Sequence, residues 1–137
     1  MTIQNPSREE IGNILKTKKR IAVVGLSNNP NRTSFMVSQA MMDAGYDIIP
    51  VNPTIDDALG VKAVDSLKEI EGHVDIVNVF RRSEFLPDII KDAVEIGADV
   101  FWAQLGVMNE EAYEYGKKHD IKVIMDRCIK VEHAMTK

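Results

Sequence analysis

Three features of the sequence predict an α/β fold built on a mainly parallel sheet. They are short apolar segments without polar alternation, helix-period segments between them, and a glycine turn after the first apolar segment. Near-continuous apolar strands suit a sheet covered on both faces, because successive side chains then each meet a helix layer. Parallel neighbours also need long crossovers, which the intervening helices provide. With 137 residues, 45% hydrophobic and 28% charged, the composition is that of one ordinary folded domain spanning 1–137. No repeat, low-complexity tract or linker divides it.

Residues 7–18 are predicted as a short helix: Ser7 stands three residues before Glu10, the capping-box spacing, and Ile11, Ile14 and Leu15 share a face. The first strand is 20–26. Val37, Ala40, Met41 and Ala44 then recur at helical spacing until Gly45 stops them. A second strand, 46–51, ends at Asn52-Pro53, and a polar loop leads through Gly60 to a short strand at 61–64 and a helical turn at 66–70. The third strand is 75–80. Its following helix starts near Ser83-Glu84, accepts Pro87 in the first turn and carries Leu86, Ile89, Ile90, Ala93 and Val94 to Gly97. After a strand at 99–103, Asn109 is placed to cap a helix with Glu110 and Glu111 in its first turn and Lys117 and Lys118 in its last. The helix dipole favours that charge order. The last strand is 121–125, and the sum is a Rossmann-like, doubly wound sheet of five to six strands with helices on both faces.

In such sheets ligands lie outside the carboxyl ends of the strands, where the strand order reverses, which points to the loops 25–34, 52–54, 80–83 and 103–106. The first is the most informative: Gly25-Leu26-Ser27-Asn28-Asn29-Pro30-Asn31-Arg32-Thr33-Ser34 joins a buried strand to a helix start. Free N–H groups and the positive end of the helix dipole favour an anion there, and Gly25 permits close approach. With Arg32 adding charge, the loop predicts a phosphorylated small molecule. The competing use for Ser27, Thr33 and Ser34 is to cap the helix. Of Arg81 and Arg82 only one, Arg81, is expected to face the ligand, because adjacent strand-end side chains point opposite ways. Trp102 lies in an apolar strand where packing competes with ligand stacking, while Gln104 offers its amide from a loop.

Several classes are excluded. The dinucleotide fingerprint G-x-G-x-x-G reads Gly25, Ser27 and Pro30 at its glycine positions, and no carboxylate follows the second strand, so a dinucleotide-dependent oxidoreductase is only the alternative reading. A net charge of −4 argues against nucleic acid, and no apolar run reaches the roughly 20 residues that cross a membrane. Cys128, the single cysteine, rules out an internal disulfide, and the first residues lack the apolar core of a signal peptide, so a cytoplasmic setting is expected. His73, His119 and His133 fall outside the predicted loops, and neither Ser-His-Asp nor metal-ligand spacing occurs, so neither catalysis nor a bound metal is expected. Cys128 reads as a small buried hydrophobe, since thiol reactivity needs exposure and a lowered pKa.

Five motifs carry a family resemblance running from about Ser7 to His133: Gly25-x-Ser27-x-x-Pro30-x-Arg32-x-Ser34, Val51-Asn52-Pro53, Phe80-Arg81-Arg82-Ser83-Glu84, Trp102-x-Gln104-x-Gly106 and Met125-Asp126-Arg127-Cys128. Together they resemble the small bacterial and archaeal CoA-binding proteins, and through them the N-terminal CoA-binding domain of the succinyl-CoA synthetase α subunit. The resemblance implies non-catalytic binding of CoA or acyl-CoA, with the 25–34 loop cradling the diphosphate. Residues implied to contact the cofactor are Gly25, Leu26, Ser27, Arg32, Ser34, Asn52, Pro53, Phe80, Arg81, Trp102 and Gln104. In the synthetase a lysine shortly after the second strand contributes to CoA binding. Here that place reads Val51-Asn52-Pro53-Thr54, which leaves the 3′-phosphate to an arginine or to Lys62. The synthetase's phosphorylated histidine belongs to a second domain, so its ligase chemistry is not implied. A protein partner or homo-oligomer is compatible, and a CoA-presenting subunit of a separate acyl-CoA ligase is a further alternative.

Overall fold

Strands form where β-branched residues cluster, and helices form between them where the apolar period lengthens. The structure, a computed structural model, describes residues 3–136. In chain order the elements are α1 (Arg8–Thr17), β1 (Arg20–Val24), α2 (Thr33–Asp43), β2 (Asp47–Val51), β3 (Asp57–Ala58), β4 (Val61–Lys62), β5 (Ile76–Val79), α3 (Leu86–Glu95), β6 (Val100–Ala103), α4 (Glu110–Lys118), β7 (Lys122–Ile124) and α5 (Ile129–Ala134). Single 3-10 turns at Leu67–Glu69 and Ser83–Phe85 complete the chain.

Five strands make one parallel sheet in the order β2-β1-β5-β6-β7. The period of two sorts their side chains between two cores. Ile21, Val23, Ile48, Ile76, Val100, Trp102 and Ile124 face α1, α2 and α5, while Ala22, Val24, Val77, Val79, Phe101, Ala103 and Val123 face α3 and α4. The chain runs from β1 outward to β2, then returns past β1 to β5. The strand order therefore reverses between β1 and β5, and a crevice opens at their carboxyl ends.

Helix starts follow the predicted chemistry. The Ser7 hydroxyl accepts from the Glu10 N–H (3.1 Å) and the Asn109 side chain accepts from the Ala112 N–H (2.9 Å). Gly45 adopts φ 101° after α2 and Gly97 φ 76° after α3, the left-handed stops that only glycine takes without strain.

The structure corrects two expectations. Residues 61–64 add no sixth strand to the main sheet. They fold back as the β3-β4 hairpin, whose turn residues Leu59 and Gly60 both have positive φ, and they pair with β2 only through a bridge from Val64 to Val51. The segment around His133, given no element from sequence, is α5, which buries Ile129 and Glu132 against α1 and α2. Six residues without a capping side chain are too short a signal to see in sequence.

The outer edge of β2 is closed in an unusual way. Pro50 occupies it, the Asn52 N–H donates to the Val64 carbonyl (2.9 Å), and the Val64 N–H donates to the Pro50 carbonyl (3.0 Å). At the amino edge of the sheet, one Asp75 oxygen accepts from the Lys19 and Arg20 N–H groups, each at 3.0 Å. His73 Nε2 lies 3.1 Å from Asp99 and 3.6 Å from Asp75, and Lys18 Nζ lies 2.9 Å from Asp99. Lys18 supplies the positive charge that this His-Asp-Asp group draws in.

Candidate functional site

The crevice at the β1/β5 reversal is a cleft of about 650 Å³. Its walls come from the turn after β1 (Gly25, Arg32), the turn after β2 (Asn52, Pro53, Thr54), the 65–67 segment, and the turn after β5 (Phe80, Arg81, Arg82). Val24, Val51, Leu67 and Ile89 give it an apolar floor, and Asp65 and Asp92 lie on its far wall.

The first turn is preformed. The Gly25 N–H donates to the Val51 carbonyl at 2.9 Å, fixing the turn to β2, and Gly25 takes φ 88°. A Cβ added there would stand 3.1 Å from Arg81 Cδ, so the arginine stem lies directly across the glycine. Beyond it, the Ser34 hydroxyl accepts from the Ser27 N–H, the Ser27 hydroxyl from the Asn29 N–H, and the Asn29 carbonyl from the Arg32 N–H, all at 3.0 Å. Each serine keeps its own hydroxyl proton to donate. The capping alternative for these hydroxyls is not realised: Arg32 is the N-cap of α2, no side chain caps it, and the first turn holds no acidic residue. Its positive helix end stands open, unlike α1 and α4 with their capping side chains and first-turn carboxylates.

Charge accumulates at the same place. Of the six arginines, Arg8 pairs with Glu132, Arg20 with Asp47, and Arg127 donates to the neighbouring Asp126 carbonyl. The other three, Arg32, Arg81 and Arg82, all line the cleft, and none of their side chains has a hydrogen bond or ion pair among the described residues. Arg81 instead rests its guanidinium over the Phe85 ring, 4.5 Å from the centroid. Asp92, opposite, is taken up by Lys68 at 3.6 Å. An acidic chain thus leaves three guanidinium groups without an ion-pair partner around one cleft, whose carboxylates Asp65 and Asp92 make none with them.

Of the residues singled out in the sequence, Gly25, Arg32, Asn52, Pro53, Phe80 and Arg81 line this one cleft. Arg82 joins them, against the expectation that only one arginine would face the cleft: β5 ends at Val79, and the alternation of strand side chains stops with it. Ser27 and Ser34 sit behind the lining as supports of the loop. Both ends of the Asn52 amide are engaged, one N–H donating to the Leu26 carbonyl (3.1 Å) and the oxygen accepting from the Thr54 N–H and hydroxyl.

Three candidates point elsewhere. The Leu26 side chain is fully buried in the core. Trp102 is also fully buried, and its Nε1–H donates to the Arg127 carbonyl at 2.8 Å, so it packs rather than stacking on a ligand. Gln104 uses both ends of its amide, donating to Asn78 and accepting from the Ile129 N–H. It holds β5, the loop after β6 and the start of α5 together. Asn78, buried in the middle of β5, was missed by the sequence reading; a lone amide inside an apolar strand was the available signal.

No histidine or cysteine lines the cleft among the described residues. His73 joins the amino-edge carboxylates, His119 stacks on Tyr115 and His133 meets the Tyr46 ring edge-on. Cys128, half-buried at the start of α5, packs against the core on that face. A second depression of about 430 Å³ lies by the start of β7, where its Glu10 and Lys122 pair with each other.

Residues 19–134 match the CoA binding domain family. The chain belongs to that family. Among curated proteins, the uncharacterized protein YneT of Bacillus subtilis is 67% identical over 135 residues, covering 98% of this chain and 100% of YneT. The α subunit of an ADP-forming acetate–CoA ligase II from Pyrococcus furiosus is 28% identical over 120 residues, covering 80% of this chain and 26% of the subunit. Among solved structures, a hypothetical protein from Pyrococcus horikoshii superposes with a TM-score of 0.93 at 30% identity, covering 99% of each chain. A Thermus thermophilus protein gives 0.92 at 31%, covering 96% of this chain and 100% of its own. The CoA binding domain here thus matches small proteins end to end and spans 26% of the ligase subunit.

Proposed function

We propose that the chain is a non-catalytic, cytoplasmic binder of CoA or an acyl-CoA, held in the cleft at the β1/β5 reversal. The observation that carries this is the set Arg32, Arg81 and Arg82, three arginines without an ion-pair partner around an uncapped helix start. Family membership supplies the ligand class. In this reading the diphosphate sits on the open N–H groups of α2 beside Gly25, with Arg32 and Arg81 on either side and the Ser27 and Ser34 hydroxyls behind. The apolar floor takes the nucleoside face, and Asn52, Pro53 and Phe80 shape the walls. Gln104 and Trp102 act at one remove, by fixing the neighbouring loop.

Calorimetric titration tests the reading. CoA should bind saturably, with NAD and ATP much weaker, and Arg32→Ala should weaken CoA by about 1.5–3 kcal/mol, the scale of a charge-assisted hydrogen bond. Equal affinity for NAD would favour the oxidoreductase alternative, and no binding of CoA would overturn the reading. A second role, presenting CoA to a separate ligase, is favoured by one fact: the matched ligase subunit carries this unit as 26% of its length. Capture of a partner protein that depends on added CoA would support it.

A further inference from the structure

The cleft holds one more guanidinium than a diphosphate site needs. Arg32 occupies the N-cap position of α2, and the stem of Arg81 lies across Gly25, so both stand at the turn after β1. Arg82 is the third: it lines the same cleft, and its side chain has no hydrogen bond or ion pair among the described residues and packs against no ring. The other wall offers no cation to share its work. Thr54, after β2, has its hydroxyl on Asn52 (2.7 Å), Lys62 lies outside the lining, and Lys68 is held by Asp92 (3.6 Å) and Glu95 (3.3 Å).

Building on the proposed CoA site, we infer that Arg82 is its specificity-determining residue, reading a phosphomonoester on the ribose of the bound nucleotide. The ligand chemistry is then a diphosphate plus a separate phosphate, three anionic groups against three free arginines. Anion recognition has moved from the strand-β2 wall, where no cation stands, to the turn after β5. That chemistry is shared by CoA and by NADP, and it is absent from dephospho-CoA and NAD.

Titration of wild type and Arg82→Ala with CoA, dephospho-CoA, NADP and NAD decides it. Wild type should bind CoA about 10- to 100-fold more tightly than dephospho-CoA, the change expected from one charge-assisted contact. Arg82→Ala should lose that preference, with dephospho-CoA affinity unchanged within about twofold. Because the side chain is exposed and unpaired, the variant should melt as wild type does. If wild type binds CoA and dephospho-CoA equally, or if Arg82→Ala keeps the preference, the inference falls and the CoA site stands. If wild type binds neither, the CoA reading itself falls. Tighter binding of NADP than of CoA would keep the role of Arg82 and replace the ligand.

Discussion

At the residue scale, Gly25 shows how a single backbone conformation governs a site. Its φ of 88° strains any side chain, and a Cβ 3.1 Å from the Arg81 stem would push the arginine aside. Gly25→Val should therefore abolish CoA binding and lower stability by about 1–3 kcal/mol. Circular dichroism melting alongside titration checks both, and a folded variant with normal affinity would move the ligand elsewhere. Gly25 and Arg32 were legible because a strand, a glycine and a helix start fall at fixed spacing. The directions of Arg82, Trp102 and Gln104 were not, since they depend on where a strand stops and what lies beneath it. For Trp102 the deciding contact is the Arg127 carbonyl, 25 residues away in sequence.

At the element scale, α4 packs closely because Gly116 has no side chain. A Cβ there would stand 2.5 Å from Val123 Cγ2 and 2.8 Å from Ile90 Cδ1, so β7 and α3 both approach the helix at this point. Alanine is the better helix former, by about 1 kcal/mol, but overpacking costs about 1–3 kcal/mol. The expected sum for Gly116→Ala is a net loss of roughly 1 kcal/mol in denaturant unfolding, and a stabilised variant would show that α4 can shift outward. Periodicity and caps made four of the helices readable. The fifth, α5, was hidden because its stability comes from Ile129 and Glu132 meeting α1 and α2, contacts that six residues do not announce.

At the scale of the whole molecule, the two ends of the sheet differ, with the cleft loops at the carboxyl edge and a charge network at the amino edge. Burial pushes the Asp99 carboxyl up, but hydrogen bonds and charges from His73 and Lys18 outweigh it, leaving the pKa below its ordinary value. The hydrogen bond to Asp99 holds Lys18 above its ordinary value, against the pull of burial. A lowered carboxyl stabilises above its unfolded pKa and loses that contribution as pH falls through the folded one; a raised lysine loses its contribution as pH rises through its own folded pKa. Asp99→Asn should thus cost roughly 0.5–1 kcal/mol near neutral pH, given the partial exposure of the pair. The difference from wild type should close below about pH 4 and again above about pH 10.5, read by thermal melts across pH. A constant gap would show a role for Asp99 other than charge. The closed edge of β2 has its own consequence, for how copies of the chain meet in a crowded solution. Asp47 turns its N–H inward to the Lys19 carbonyl, so the outward groups are those of Ile48, Pro50 and Asn52. Proline has no N–H, Asn52 gives its own to Val64, and Ile48, whose N–H also points to this side, is buried. A foreign strand cannot zip along such a border, and Pro50→Val, by restoring a donor, should make refolding at high concentration visibly more turbid in light scattering.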